Sequence, residues 1–140
     1  MKILHTSDQH GRFDPATAPR EFDLWIDTGD FFPNVSRDRR IEPAFQTHWA
    51  AVTNIADNIV QWLDDRPVVT VPGNHDFVTL YDILSRAGYE NVHKVTPEGI
   101  EVSGLRFAGF REVNWLGGDW EGSTKWRFLG DRNQNSREQP

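Results

Sequence analysis

The stretch VVTVPGNHD, residues 68–76, decides the fold of this chain. Four β-prone residues end in a Pro-Gly pair, and three side chains that can bind metal or move protons follow: Asn74, His75 and Asp76. Open α/β sheets place their chemistry in loops of this kind, outside the carboxyl ends of buried strands. The stretch therefore predicts a sheet strand with a functional loop at its end.

Two stretches upstream repeat this pattern of a strand followed by polar side chains. ILHTS at residues 3–7 runs into Asp8 and His10, and FDLWID at residues 22–27 runs into Thr-Gly and then Asp30. If the three strands are parallel neighbours, their carboxyl ends meet at one edge of the sheet. We therefore expect the polar side chains of the three loops to form one site.

Length and composition bound the class of protein. At 140 residues the chain is long enough for one small domain, and its 37% hydrophobic residues are typical of a globular protein with a lean core. It has no cysteine, which excludes disulfides and thiolate chemistry. The net charge of −6 argues against binding nucleic acid by general electrostatics. Because no signal peptide or membrane-length apolar run is recognisable, we expect no membrane association and a cytoplasmic location.

Hydrophobic periodicity predicts the remaining elements. Apolar residues at steps of three and four predict one long helix at 43–64, and a second helix is predicted at 78–87. The predicted strands are 2–7, which we expect to be buried on both faces, 22–27, 67–71, 91–95, and a hairpin of 100–102 with 105–110. This order favours an α/β fold: a mostly parallel sheet with flanking helices and right-handed crossovers.

The side chains at the strand ends suit a metal centre. Asp8 and His10 alternate along an extended chain end, so both can face one point, and the glycine before Asp30 allows a sharp turn. Oxygen and imidazole ligands without sulfur suit Mn, Fe, Ni or Zn. One Asp that bridges two cations is the core of two-metal phosphoryl hydrolysis. Arg12, two residues past His10, is a candidate for binding a substrate phosphate.

Three motifs in this order resemble the calcineurin-like metallophosphoesterase family. They are D-x-H at residues 8–10, G-D at 29–30 and G-N-H-D at 73–76. The first two are common in proteins, whereas G-N-H-D at a strand end is specific. The resemblance implies hydrolysis of phosphate monoesters or diesters, and a four-layer αββα sandwich in which two sheets pack face to face.

The same resemblance implies roles for individual residues. Asp8 and His10 would bind the first of two divalent metals, Asp30 would bridge both, and Asn74 would bind the second. His75 would lie beside the phosphate as a leaving-group acid or transition-state stabiliser. Asp76 would orient His75, so both are candidate catalytic residues.

The chain also departs from the family pattern. Family members usually carry Asp three residues after the bridging Asp, where this chain has Pro33 followed by Asn34. The later family blocks, a lone His at a strand end and Gly-His-x-His, are missing, and His93 comes too early in the chain to replace them. The resemblance therefore covers about residues 1–110 and indicates the N-terminal part of the family fold.

These departures lead to three further expectations. We predict a metallophosphoesterase-like domain over residues 1–130 that is incomplete at its C-terminus, followed by a disordered tail over residues 131–140. The second metal keeps only two protein ligands, so we expect no more than one tightly bound metal. The sheet face that the missing half would cover is expected to be an exposed apolar surface.

Three hypotheses of function stay open. The first is an active phosphoesterase that acts on a small molecule or nucleotide. The second is a DNA-repair-type nuclease, since residues 2–8 resemble the start of that branch, although the acidic charge does not favour nucleic acid. The third is a truncated or split chain, catalytically weak by itself, which needs a second polypeptide or acts as a binding module.

Overall fold

The computed structural model describes residues 1–36 and 38–109. In chain order its elements are β1 (Ile3–Thr6), β2 (Leu24–Asp27), α1 (Glu42–Thr53), α2 (Ile55–Leu63), β3 (Val68–Thr70), α3 (Leu80–Arg86), β4 (Val92–Lys94), β5 (Ile100–Val102) and β6 (Leu105–Phe107). Residue 110, the last of the strand predicted at 105–110, lies outside the described residues. The predicted tail at 131–140 lies outside them entirely.

The sheet topology confirms the predicted α/β fold. Strands β1 to β4 are all parallel and lie in the order β1-β2-β3-β4, and β5 and β6 form the predicted antiparallel hairpin. A mostly parallel four-strand sheet with flanking helices is consistent with the N-terminal part of a metallophosphoesterase fold. The three strands that precede the polar loops are therefore direct neighbours, as the motif pattern requires.

The single helix predicted at 43–64 is wrong, because the segment forms two helices. Asn54 adopts a left-handed conformation with φ 54° and ends α1, and its N–H bonds the carbonyls of Ala50 and Ala51. Asn is one of the few residues that visits this conformation readily. Val52, just before the break, is 65% exposed, while Ile59 in α2 is fully buried.

The three helices in the described part of the chain pack on one face of the sheet. The main core cluster joins Trp25 and Val68 of the sheet to Trp62 of α2 and Leu84 of α3. The physical reason is the strand order: successive right-handed crossovers that move in one direction along a sheet all pass over the same face. The rings of Trp25 and Trp62 lie 5.1 Å apart at an interplanar angle of 85°.

The β5–β6 hairpin packs on the other face of the sheet. The prediction that this face is an exposed apolar surface is therefore wrong at the centre of the sheet. Leu24 and Val69 are fully buried there and form a second core cluster with Val102 of β5. The predicted burial of the first strand on both faces is also wrong. Among residues 1–36 and 38–109, strand β1 pairs with β2 alone, and Ile3 is 46% exposed.

No helix among the described residues is both long and apolar enough to cross a membrane.

A row of polar side chains crosses the sheet beneath the loops. Thr6, Asp27 and Thr70 occupy paired positions on β1, β2 and β3. The Thr6 hydroxyl donates to Asp27 Oδ1 at 2.9 Å, and the Thr70 hydroxyl donates to Asp27 Oδ2 at 3.4 Å. Asp27 is buried, and burial is the main cause that raises its pKa to about 7. The three strands that carry the loops are thus joined by a buried acid.

Substitution of Asp27 by Asn should change how stability depends on pH. Because the folded-state pKa is about 7 and the ordinary pKa of an Asp side chain is 3.8, the folded chain holds one extra proton between these values. Stability from this group is therefore present at low pH and is lost as the pH rises through about 7. In Asp27→Asn this loss should disappear, and urea unfolding at pH 5 to 8 in chelator measures it.

The exposed Asp57 of α2 supplies the control. In Asp57→Asn the free energy of unfolding should depend on pH as it does in the wild type. Between pH 5 and 8 the free energy of unfolding of Asp27→Asn should rise relative to that of the wild type by roughly 1–4 kcal/mol, since one pKa unit corresponds to about 1.4 kcal/mol. Equal slopes in all three proteins would show that Asp27 does not titrate in this range.

Candidate metal centre

Three of the predicted ligands come together at the carboxyl ends of β1 and β2. Asp8, His10 and Asp30 each offer a ligand atom, and these atoms all lie within 4.8 Å of one another. His10 Nε2 is 3.9 Å from Asp8 Oδ1 and 3.9 Å from Asp30 Oδ2. Two carboxylates and one imidazole form a donor set that suits Mn, Fe, Ni or Zn. The residues present therefore fit a divalent cation.

The backbone at all three residues is in the left-handed region. The φ angles are 57° at Asp8, 49° at His10 and 56° at Asp30, which is uncommon for residues other than glycine. Backbone hydrogen bonds hold the first two in place: the Asp8 N–H donates to the Gly29 carbonyl and the His10 N–H to the Asp30 carbonyl, each at 2.9 Å. Strain of this kind persists only where surrounding bonds enforce it, and it is common at functional sites.

Two glycines let the loops after β2 and β3 touch. A Cβ atom on Gly73 would lie 2.2 Å from Asp30 Oδ1, and one on Gly29 would lie 2.6 Å from the Gly73 nitrogen. Gly29 also has a φ of +114°, which side chains rarely allow. The G-D and G-N-H-D motifs therefore need glycine for close approach as well as for turning.

His75 lies at the edge of the cluster. Its backbone N–H donates to Asp30 Oδ1 at 2.9 Å, and its ring centroid is 5.7 Å from that of His10. Burial lowers the pKa of His75, while the nearby Asp30 carboxylate acts in the opposite direction. Burial also raises the pKa of Asp30, with the His75 backbone hydrogen bond opposing it. A cation at the cluster would satisfy this buried carboxylate.

Asp76 ties the two loops together. Its buried carboxylate accepts hydrogen bonds from three backbone N–H groups, those of Asp30 at 2.8 Å, Gly73 at 2.9 Å and Phe32 at 3.1 Å. Burial raises its pKa to about 6. These bonds give Asp76 a positioning role between the loops, and its predicted action on the His75 ring stays a prediction.

The positions of Asn74 and Arg12 do not test their predicted roles, which stay predictions. Asn74 is half-buried between Gly73 and His75, on the loop that reaches Asp30. Arg12 is exposed on the turn after His10, where its N–H donates to the Gln9 carbonyl at 2.9 Å.

Gln46 of α1 holds both loops, and the sequence reasoning missed it. This fully buried amide donates from Nε2 to the carbonyls of His75 at 2.8 Å and Pro33 at 3.1 Å. Its Oε1 accepts the N–H groups of Phe77 at 2.8 Å and Val78 at 3.1 Å. One side chain therefore satisfies four backbone groups next to the candidate site.

Glu42, one helical turn before Gln46, holds the loop after β2. Its carboxylate accepts the N–H groups of Ser36 at 2.6 Å and Val35 at 3.0 Å, and the Asn34 amide at 3.0 Å. Asn34 also donates to the His75 carbonyl at 3.1 Å. The available signal was a polar pair four residues apart at the start of an otherwise apolar helix face.

A comparison of the whole chain with known protein families supports the same assignment as the geometry of the site. The model of the family described as calcineurin-like phosphoesterase matches residues 1–135. The chain belongs to the calcineurin-like phosphoesterase family. The family predicted from the three motifs is therefore confirmed, and the match extends past residue 110, where the residue-by-residue resemblance ends. Neither a curated protein nor a solved structure matches the chain.

Membership in the calcineurin-like phosphoesterases supports a general kind of chemistry. The family hydrolyses phosphoric esters and typically binds divalent metals, and the Asp8–His10–Asp30 cluster is a possible metal site in this chain. Phosphate esters are the substrate class that this membership implies.

Replacement of Gln46 by Leu should destabilise this member of the family. The change removes the amide partner of four partly buried backbone groups, of which the His75 carbonyl keeps the Asn34 amide. An unsatisfied buried polar group costs about 1–3 kcal/mol. We expect a net loss of roughly 2–4 kcal/mol, because water reaches part of the loop. Urea unfolding in chelator measures the loss.

Gln61→Leu is the matched control, since Gln61 is exposed on α2. It should change stability by less than about 0.5 kcal/mol. A similarly small effect of Gln46→Leu would show that the loops do not depend on this amide.

Proposed function

We propose that this chain catalyses metal-dependent hydrolysis of phosphate monoesters or diesters at the Asp8–His10–Asp30 cluster. The observation that carries the proposal is the convergence of these three ligand atoms within 4.8 Å, at the ends of adjacent parallel strands. Membership in the calcineurin-like phosphoesterases supports the reaction class. The expected metal is Mn, Fe, Ni or Zn.

The residues of the cluster divide the work of binding. Asp8, His10 and Asp30 would hold the first cation, and Asp30 with Asn74 would hold a second in a two-metal mechanism. A divalent cation bound there supplies Lewis-acid chemistry, which neutralises phosphate charge and activates water. Asp30 is suited to a bridging position because Gly73 packs against it and the His75 N–H fixes Oδ1.

His75 is the candidate for the proton at the leaving oxygen. Hydrogen bonds from Asn34 and Gln46 to its carbonyl, and from its N–H to Asp30, hold the His75 backbone in place. The side chain therefore starts from a fixed backbone position beside the cluster. Burial lowers its pKa and favours the neutral ring. A neutral imidazole still donates one N–H to a phosphoryl or leaving oxygen, which fits transition-state stabilisation as well as acid catalysis.

The other hypotheses stay predictions. No contact of the described residues favours the nuclease or the chain that needs a second polypeptide, and the net charge of −6 still argues against nucleic acid. Residues 110–140 contain no histidine, so the later ligand blocks are missing from the sequence itself. The cytoplasmic location likewise stays an expectation.

Metal loading is the first test of the proposal. The first site has three protein ligands and the second has two, and affinity falls with each missing ligand. We expect no more than one tightly bound metal per chain after incubation with Mn²⁺ and desalting, as measured by elemental analysis. Two stoichiometric metals would contradict this and require further ligands.

Substitution at His75 separates metal binding from chemistry. His75→Ala should leave the metal content unchanged and lower the hydrolysis rate by about 10²–10⁴-fold, the usual contribution of a positioned acid or base. Asp30→Asn should lower both the metal content and the rate. Elemental analysis and assays with aryl phosphate mono- and diesters measure the two quantities.

His48→Ala is the control for the first variant, because His48 is exposed on α1. It should change neither quantity. Loss of metal from His75→Ala would make His75 a ligand and reverse the assignment.

A further inference from the structure

A cavity lies next to the loop after β3, the loop whose Gly73 packs against Asp30. It has a volume of about 470 Å³ and opens outside the carboxyl ends of β3 and β4. We propose that it is the subsite for the leaving group of the phosphate ester, and that it selects leaving groups in which a flat ring carries an anionic substituent. This inference rests on the proposed function and names the substrate class of the same site.

The position of the cavity links it to the cluster. Val71 and Pro72 form one wall, and the next residue, Gly73, is the one whose backbone packs against Asp30. Thr70 lines the cavity and is paired in register with Asp27 on one side and Lys94 on the other. The cavity and the cluster therefore share β3 and its loop as a common boundary. Crevices at this end of a parallel sheet are where α/β proteins bind ligands.

The cation of the cavity is Lys94. Its ammonium lies 4.9 Å from the centroid of the Tyr81 ring, and it forms no ion pair with any residue in 1–36 or 38–109. A cation–π contact holds an ammonium over a ring without neutralising its charge. In a chain of net charge −6, this ammonium is suited to bind one anionic group of a ligand.

The walls of the cavity suit a flat ring. Pro72 and Pro97 are rigid, Tyr81 contributes an aromatic surface, and the volume is in the range of small-ligand sites. Asp82 is the one carboxylate among the described lining residues, so a ligand that is anionic throughout is disfavoured. A ring with a single anionic substituent can direct that charge to Lys94 and keep its neutral part near Asp82.

Two esters that differ in one charge test the inference. With the Mn²⁺-loaded chain, kcat/KM for 4-carboxyphenyl phosphate should exceed that for phenyl phosphate by about tenfold, the usual effect of one charge-assisted hydrogen bond. Lys94→Met should remove this preference and leave phenyl phosphate within about twofold. The control is Lys2→Met, at the opposite end of β1, where Lys2 pairs with Glu21 at 3.5 Å.

A binding measurement gives a readout that does not need activity. The product 4-hydroxybenzoate should shift the backbone amide NMR signals of Tyr81, Lys94 and Thr96 in a saturable manner, and phenol should bind more weakly. Lys94→Met should abolish the difference between the two. Unchanged signals from the rest of the sheet would show that the variant is folded.

The outcomes separate the two proposals. Hydrolysis of both esters with equal kcat/KM, or equal binding of 4-hydroxybenzoate and phenol, would overturn the subsite while the proposed function stands. Binding of 4-hydroxybenzoate through Lys94 without hydrolysis of either ester would support the pocket and overturn the proposed function. Absence of both binding and hydrolysis would overturn both.

Discussion

The contact between the Gly73 backbone and Asp30 is the constraint on which the rest of the site depends. It brings the loop after β3 against the loop after β2 at a distance that excludes any side chain on Gly73. Asp76 then stabilises the contact, because its carboxylate accepts N–H groups from both loops. The G-N-H-D motif thus contains both the close approach and the acid that secures it.

Buried polar side chains of α1 and β2 also hold these loops in place. Gln46 and Glu42 of α1 satisfy backbone groups of both loops, and Asp27 joins the three strands that carry them. Buried polar groups are costly unless they are fully bonded, and here each one has several partners. These hydrogen bonds offset the conformational strain of the left-handed backbone at Asp8, His10 and Asp30. The three side chains can therefore face one point.

The cluster and the neighbouring cavity have complementary electrostatics. Asp8, His10 and Asp30 form a candidate cation site, whereas Lys94 places a positive charge in the cavity that Val71 and Pro72 of the β3 loop also line. Under the proposed function, a phosphate ester would present its anionic end to the cluster and its leaving group to the cavity.

The sequence by itself determined the family, the parallel sheet and the three candidate ligands that meet, because motif order and strand periodicity are local properties. It did not determine the break at Asn54 or the placement of all helices on one face, since these depend on backbone conformation and strand order. The roles of Gln46 and Glu42 were hidden for the same reason: their hydrogen bonds join residues of α1 to separate loops. Only tertiary structure decides which backbone groups a buried amide or carboxylate can reach.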